Sequence, residues 1–188
     1  MNVTNPDMIR AVTSKWDGER DANGRPLVSD DILERMKLVT TEEAWGTCKR
    51  NDYHFQFAGD WMNLHPGRVI VGRAVTCRWV PRRPDVHDSI DKQGEEDDRV
   101  GFQNSWVIDE LEQGDLIVVD LFGKIYNGTF AGDNLATAIK SRSGTGMVID
   151  GGIRDTQRIL EMDDFNAFVR GVDPSAILDV SMPEINGI

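Results

Sequence analysis

The stretch that decides the fold is GDNLATAIKSRSGTGMVIDGGIRD, residues 132–155. Its Gly-Asp-Asn turn predicts the start of a helix, and the apolar run at 146–150 predicts a buried strand that leads into a Gly-Gly-Ile-Arg-Asp loop. A helix followed by a buried strand is the repeating unit of α/β proteins, which place functional loops after their strands. The stretch therefore predicts an α/β unit with a candidate functional loop at each end.

Predicted strands and helices alternate on both sides of this unit. Apolar or β-branched runs indicate strands, while caps followed by apolar residues at helical spacing indicate helices. The strands are predicted at 69–80, 116–121, 147–149 and 168–171, and the helices at 28–36, 39–45, 106–112, 135–139 and 155–161. This alternation predicts an α/β fold with a mixed sheet, and the apolar strand 116–121 is predicted to be buried on both faces.

The sequence predicts an N-terminal helical extension at 1–38 and an α/β domain at 39–188. Within the domain, residues 81–104 are rich in proline, glycine and charge. That composition predicts a long surface loop or arm, and structureless segments of this length are usually functional or disordered.

Composition excludes several classes of function. The 188 residues include 21 basic and 32 acidic ones, a net charge of -11, and no basic run, which disfavours direct nucleic-acid binding and attraction to membrane surfaces. No apolar run reaches the ~18 residues of a transmembrane helix, and the N-terminus lacks the layout of a signal peptide. The two cysteines, Cys48 and Cys77, lie far apart, so free thiols in a reducing compartment and a cytoplasmic location are expected.

The candidate site combines Asp133 with Arg154 and Asp155, separated by twenty residues. A helix start presents unpaired N–H groups that bind anions, the arginine fork pairs with carboxylates, and aspartate supplies the hard oxygen that Mg²⁺ or Mn²⁺ prefers. Each feature has a simpler explanation. Asp133 or Asn134 is an ordinary cap for its helix, and Arg154 with Asp155 is a local ion pair plus a cap for the next helix.

Histidine does not support a zinc site, because His54, His65 and His87 lie in separate segments without ligand spacing. Acidic residues flank His87 in the run Asp-Val-His-Asp at 85–88, which is interpreted as a solvated charged surface rather than a metal site.

Residues 39–175 resemble the RraA-like family, which is named for a regulator of ribonuclease E activity and includes the 4-hydroxy-4-methyl-2-oxoglutarate aldolases. The resemblance rests on several blocks in order and on the family's signature of Asp, twenty residues, then Arg-Asp. The blocks are GRAVTC (72–77), QGDLIVVD (113–120), the stretch 132–155 and FVRGVDPSA (168–176).

The resemblance implies a swivelling phosphohistidine-domain-like β/β/α fold, assembled as a homotrimer or hexamer with sites between subunits. It implies that Asp155 helps to hold Mg²⁺ or Mn²⁺, largely through water, and that Arg154 contacts the substrate and stabilises enolate charge. Asp133 would support the water shell of the metal. The loop that would offer backbone amides to the substrate carboxylate consists of Gly132, Asp133, Asn134 and Leu135.

The expected function is therefore that of a divalent-metal-dependent carbon–carbon lyase acting on a small 2-oxo-acid. Oxaloacetate decarboxylation and retro-aldol cleavage of 4-hydroxy-4-methyl-2-oxoglutarate both leave the enolate of pyruvate. The alternative is a non-catalytic regulator that binds ribonuclease E or a related RNA-processing protein. The sequence departs from the family in the insertion at 81–104 and in ending at 186–188, where a closing strand pair and a further acidic residue used by the aldolases are expected to be missing.

Overall fold

The computed structural model describes residues 5–184, and these form one six-stranded sheet with seven α-helices. The helices are α1 (Pro6–Val12), α2 (Asp30–Met36), α3 (Thr41–Arg50), α4 (Pro84–Glu96), α5 (Gln103–Asp109), α6 (Asp133–Ser143) and α7 (Thr156–Leu160). The strands are β1 (Met62–Asn63), β2 (Arg73–Pro81), β3 (Asp115–Asp120), β4 (Met147–Ile153), β5 (Ala167–Val172) and β6 (Ser181–Pro183). None of these helices is long and apolar enough to cross a membrane.

The sheet is mixed, in the order β1-β5-β4-β3-β2-β6. Strands β2 to β5 pair in parallel, and the short edge strands β1 and β6 pair antiparallel to their neighbours. This arrangement confirms the predicted α/β class with a mixed sheet. The expectation about the chain end at 186–188 lies outside the described residues.

One face of the sheet carries the core. In β3 and β4 alternate side chains such as Ile117, Val119 and Ile149 are buried, and α5 and α6 pack close to this part of the structure. The intervening residues, including Leu116 and Val118, are only partly buried. The prediction that 116–121 is buried on both faces was therefore wrong, because the second face of the sheet is incompletely covered within the chain.

The start of α3 shows how local chemistry fixes a helix. Thr40 accepts a hydrogen bond from the Glu43 amide, and the Glu43 side chain accepts one from the Thr40 amide, which makes a capping box. Ser29 caps α2 with a single bond, since its hydroxyl accepts the Ile32 amide. The two predicted helix starts are confirmed, and Thr40 and Ser29 are the residues that cap them.

Residues 81–104 do not form the predicted loop or arm. They contain α4, and α5 begins before they end. Pro84 occupies the first turn of α4, where a missing N–H costs nothing. The helix turns His87, Ile90 and Gly94 inward while its charged residues face solvent. Proline and charge therefore marked a helix start and a solvated helix face rather than an irregular segment.

Replacing Gly94 with alanine is expected to destabilise the fold by about 1–3 kcal/mol, the usual cost of overpacking. A Cβ at this position would lie 2.3 Å from a ring carbon of Trp106, on the neighbouring helix α5. Urea unfolding followed by circular dichroism measures the loss. The matched control is Gly46→Ala in α3, where the nearest atom is the mobile end of Arg50 at 3.3 Å; an equal loss in both variants would refute this contact.

The thiol of Cys77 is expected to be unreactive in the folded protein. Burial raises its pKa from 9.0 to about 12, with a smaller contribution from the Asp120 carboxylate. A thiol reagent at pH 8 should therefore label Cys48, which is partly exposed, and reach Cys77 only after denaturation. Because the unfolded thiol ionises first, its contribution to stability is complete below pH 9 and declines as the pH rises towards 12. Rapid labelling of both thiols in the native protein would contradict this packing.

Candidate active site

The start of α6 lies beside the end of β4. The amide of Phe130 donates to the carbonyl of Gly152 at 3.0 Å, and the amide of Arg154 donates to the carbonyl of Ala131 at 2.9 Å. Ala131 and Ile153 form a parallel bridge between these bonds. These bonds bring the two ends of the 132–155 stretch together at the carboxyl end of β4.

Gly132 is the point of closest approach between these ends. It precedes the first residue of α6 as its N-cap, and it is buried. A Cβ on Gly132 would lie 2.2 Å from Oδ2 of Asp155 and 3.1 Å from Nε of Arg154. Only glycine allows both side chains to pack against the helix start, so the identity of this residue sets the geometry of the site.

The guanidinium of Arg154 is oriented by two long contacts. Its Nε lies 3.4 Å from Oδ2 of Asp155, and its Nη1 lies 3.4 Å from Oγ1 of Thr129. Both distances exceed those of typical N–H···O bonds. The side chain is 30 % exposed, and that of Asp155 is 44 % exposed. Arg154 is therefore held in place with donors left for a further partner at an accessible position.

Asp155 begins α7 without capping it through its side chain. Its backbone is left-handed, with φ 56° and ψ 33°, and its carbonyl accepts the amides of Arg158 and Ile159. The simpler explanation of Arg154 and Asp155 is thus half realised: the ion pair is present, but the carboxylate does not cap the helix. A non-glycine residue in this conformation costs ~1–3 kcal/mol and persists at functional sites when its surroundings enforce it.

Asp133 is held by two donors. Its Oδ1 accepts the amide of Asn134 at 2.9 Å, and its Oδ2 accepts Nη1 of Arg158 at 3.0 Å. The Asp133 side chain is 18 % exposed and that of Arg158 is 76 % exposed. The prediction that Asp133 or Asn134 caps the helix is therefore wrong, because the N-cap is Gly132 and no side chain caps α6. Asp133 accepts the next amide of its own helix and also a second guanidinium.

The remaining predicted residues offer the site only backbone groups. The Asn134 side chain is exposed, and the Leu135 side chain packs against the core. The N-cap residue of α6 makes no side-chain cap bond. Helix starts carry partial positive charge and outward N–H groups. Apart from the Asn134 amide, which donates to Asp133, the amides at this end of α6 therefore suit a carboxylate.

A chain of hydrogen bonds from Thr129 to Asp173 fixes the hydroxyl that Arg154 contacts. Thr129 donates its hydroxyl to the carbonyl of Ser175 at 2.5 Å, and Ser175 in turn donates its hydroxyl and amide to the Asp173 carboxylate. The two bonds from Ser175, with the amide of Asn127, hold the pKa of Asp173 below its usual value. Sequence reasoning missed Thr129 and Arg158, although Arg158 follows Arg154 at the spacing of one helical turn.

A further cavity lies at the opposite end of the parallel strands, beside α2. Its volume is about 780 Å³, and it is lined in part by Arg68 and Arg73, whose guanidinium groups already donate to backbone carbonyls. Asp133, Arg154 and Asp155 do not line this cavity.

The carboxylates at the carboxyl end of β4 fit a magnesium or manganese ion that keeps most of its water ligands. Among residues 5–184 there is no cluster of three or more histidine, cysteine, aspartate or glutamate residues able to hold a metal. Mg²⁺ typically keeps several waters and takes one or two protein carboxylates plus oxygens of the substrate. The exposed Asp155 carboxylate, which lies against Gly132, meets that requirement, whereas a closed zinc site needs four protein ligands.

Comparison with known proteins gives a family match and several structural neighbours. The family model for RraA-like proteins (Aldolase/RraA) matches residues 42–187. The fold is similar to that of Streptomyces coelicolor RraAS2, an unusual member of the RNase ES inhibitor RraA protein family, with TM-score 0.67 and 22% identity over 85% of this chain and 72% of that one.

Two further neighbours show the same fold. One comes from work on novel cellulases from microbes of the gut ecosystem (TM-score 0.66, 17% identity, 95% of this chain and 72% of that one). The other is an uncharacterised protein of Pseudomonas syringae pv. tomato (TM-score 0.62, 17% identity, 90% of this chain and 68% of that one). At these identities the likeness concerns the fold alone.

Proposed function

Because the chain belongs to the RraA-like family, we propose that it is a divalent-metal-dependent lyase that cleaves a carbon–carbon bond of a small 2-oxo-acid. The family includes aldolases and also inhibitors of ribonuclease E. The observation that favours catalysis is the contact between Gly132, Arg154 and Asp155. This contact keeps an accessible carboxylate beside a helix start, together with a guanidinium that has unused N–H donors.

The chain's own groups divide the work of binding. The Asn134 amide already donates to Asp133. The other amides at the start of α6, those of Gly132, Asp133 and Leu135, would receive the C1 carboxylate of the substrate, which the helix dipole favours. Asp155 would hold Mg²⁺ or Mn²⁺, largely through water, and Asp133 would orient that water. A bound divalent ion supplies Lewis-acid withdrawal of electrons from the 2-oxo group.

Arg154 is the proposed catalytic cation. In oxaloacetate the C3–C4 bond breaks, C4 leaves as CO₂, and the electron pair remains as the enolate of pyruvate. In the retro-aldol reaction the C4 hydroxyl would give its proton to a water in the site as the same bond breaks, and C4 becomes a ketone. The enolate carries negative charge on the former 2-oxo oxygen, which the guanidinium would stabilise. A water in the site would then return a proton to C3.

The alternative function is regulation of an RNA-processing enzyme. It is favoured by the fold of RraAS2, a member of an RNase ES inhibitor family. The net charge of -11 suits a basic protein surface rather than RNA. A homotrimer or hexamer and a cytoplasmic location, where the free Cys48 and Cys77 would stay reduced, are parts of the same proposal.

A coupled assay separates the two functions. Pyruvate released from oxaloacetate or 4-hydroxy-4-methyl-2-oxoglutarate is measured through lactate dehydrogenase, with Mg²⁺ or Mn²⁺ and against blanks that contain the metal without enzyme. We expect turnover that a chelator abolishes and excess metal restores. Turnover no greater than the blank, together with capture of ribonuclease E by the purified protein, would reject the lyase and support the regulator.

A further inference from the structure

Arg158 brings a second guanidinium to the proposed catalytic site, beside that of Arg154. It lies on α7 and reaches Oδ2 of Asp133 with Nη1 at 3.0 Å. Arg154 packs against Gly132, the residue before Asp133. The two guanidinium groups therefore meet the start of α6 at successive residues.

Charge counting distinguishes what this site can hold. Asp133 and Asp155 carry two negative charges, and Arg154 and Arg158 carry two positive ones, so the four side chains sum to zero at neutral pH. With a divalent cation bound, as the proposed function requires, the site has two positive charges in excess. A substrate with two carboxylates balances this excess, whereas a monocarboxylate leaves one charge unmatched.

Exposure shows which of the two arginines is free to take the second carboxylate. The Arg158 side chain is 76 % exposed and uses one nitrogen, Nη1, to contact Asp133. A guanidinium has five N–H donors in a planar fork, which matches a carboxylate in two-pronged fashion. Arg158 is thus free to bind an anion on the exposed side of the site. Arg154, which is more buried, is the arginine beside the bond that breaks.

We propose that Arg158 is the specificity-determining residue that binds the distal carboxylate of a dicarboxylic 2-oxo-acid. This assignment rests on the proposed lyase function, whose two named substrates are both dicarboxylates, and adds the residue that recognises their distal carboxylate. Arg158 contributes to affinity for the dicarboxylate, and Arg154 contributes to the rate of bond cleavage. Loss of Arg158 therefore removes discrimination between dicarboxylic and monocarboxylic substrates.

Two substrates that differ in a single group test the proposal. 4-Hydroxy-4-methyl-2-oxoglutarate carries a carboxylate on C4 where 4-hydroxy-2-oxopentanoate carries hydrogen, and both release pyruvate on retro-aldol cleavage. Arg158→Gln is expected to raise KM for the dicarboxylate at least about tenfold, the usual effect of losing a charge-assisted hydrogen bond. KM for the monocarboxylate and both kcat values should stay within about threefold. Arg158→Lys should restore part of the preference.

The control variant removes an arginine ion pair at the far end of α6. Arg142 bonds the Asp109 carboxylate at 2.6 Å, and Arg142→Gln should leave both substrates unaffected. An equal loss on the two substrates in Arg158→Gln would show that Arg158 acts only by positioning Asp133, and it would overturn the proposal. No change on either substrate would overturn it as well.

Equilibrium binding keeps this inference separate from the lyase function. 2-Oxoglutarate and 2-oxopentanoate have the same chain length and differ in the terminal carboxylate, and calorimetry with Mg²⁺ present measures both without turnover. We expect the native protein to prefer 2-oxoglutarate and Arg158→Gln to lose that preference. A protein that turns over no substrate but shows this pattern refutes the lyase and retains the dicarboxylate site. Equal affinity of the native protein for both ligands refutes the proposal that Arg158 binds the distal carboxylate.

Discussion

Replacing Arg154 with glutamine is expected to lower kcat for pyruvate release by about 100- to 1000-fold, the usual cost of removing one preorganised group that stabilises a developing oxyanion. The guanidinium stands beside Gly132 and Asp155, and its two contacts to described residues are both 3.4 Å long. Little of the folding energy depends on such long, partly exposed contacts. The melting temperature should therefore change little while the rate collapses.

Steady-state kinetics with oxaloacetate and thermal unfolding of the same samples measure both quantities. Arg154→Lys should recover part of the rate, because it keeps the charge but not the planar fork. Arg142→Gln is the matched control for the loss of a surface arginine. If Arg154→Gln retained native kcat, Arg154 would not be the catalytic cation.

Adding a single methyl group at Gly132 is expected to reduce turnover by about 100-fold or more, since a displacement of ~1 Å at a site has that effect. The new Cβ would lie 2.2 Å from Oδ2 of Asp155 and 3.1 Å from Nε of Arg154. The two side chains are 44 % and 30 % exposed, so they can move outward without disturbing the core. Gly132→Ala should therefore stay folded, with the carboxylate and guanidinium displaced.

Gly46→Ala in α3 again serves as the control, because it adds the same methyl group far from the site in sequence and near only a flexible Arg50. Activity and metal affinity of the two variants are compared in the presence of Mn²⁺, with binding followed by electron paramagnetic resonance. Native turnover in Gly132→Ala would mean that the packing of Asp155 against the helix start is irrelevant to catalysis.

The parts of the fold predicted correctly are those that local sequence dictates. The capping box of Thr40 and Glu43 and the apolar strand before Arg154 involve neighbouring residues, so short windows contain the whole signal. The segment at 81–104 was mispredicted as a loop because proline and charge occur both in loops and in solvated helices. What decides between them is the burial of His87, Ile90 and Gly94, and that depends on a distant packing partner.

The candidate site was only partly accessible from sequence. The spacing of Asp133 from Arg154 and Asp155, strengthened by the family resemblance, indicated which residues to consider. It did not contain the ladder through Ala131 that brings them together, or the reason why residue 132 must be glycine. The contact of Arg158 with Asp133 was missed because it joins two helices, and ion pairs between elements leave no periodic pattern.

The central claim is that Arg154 and an Asp155-held cation share the charge of the pyruvate enolate. Hydrogen–deuterium exchange at the methyl group of pyruvate in deuterated water, followed by nuclear magnetic resonance, tests it without any assumption about the physiological substrate. We predict exchange that requires Mg²⁺ or Mn²⁺ and falls at least about 100-fold in both Asp155→Asn and Arg154→Gln. Exchange that persists in these variants or in excess chelator, or that is absent from the native protein with metal, would contradict the account.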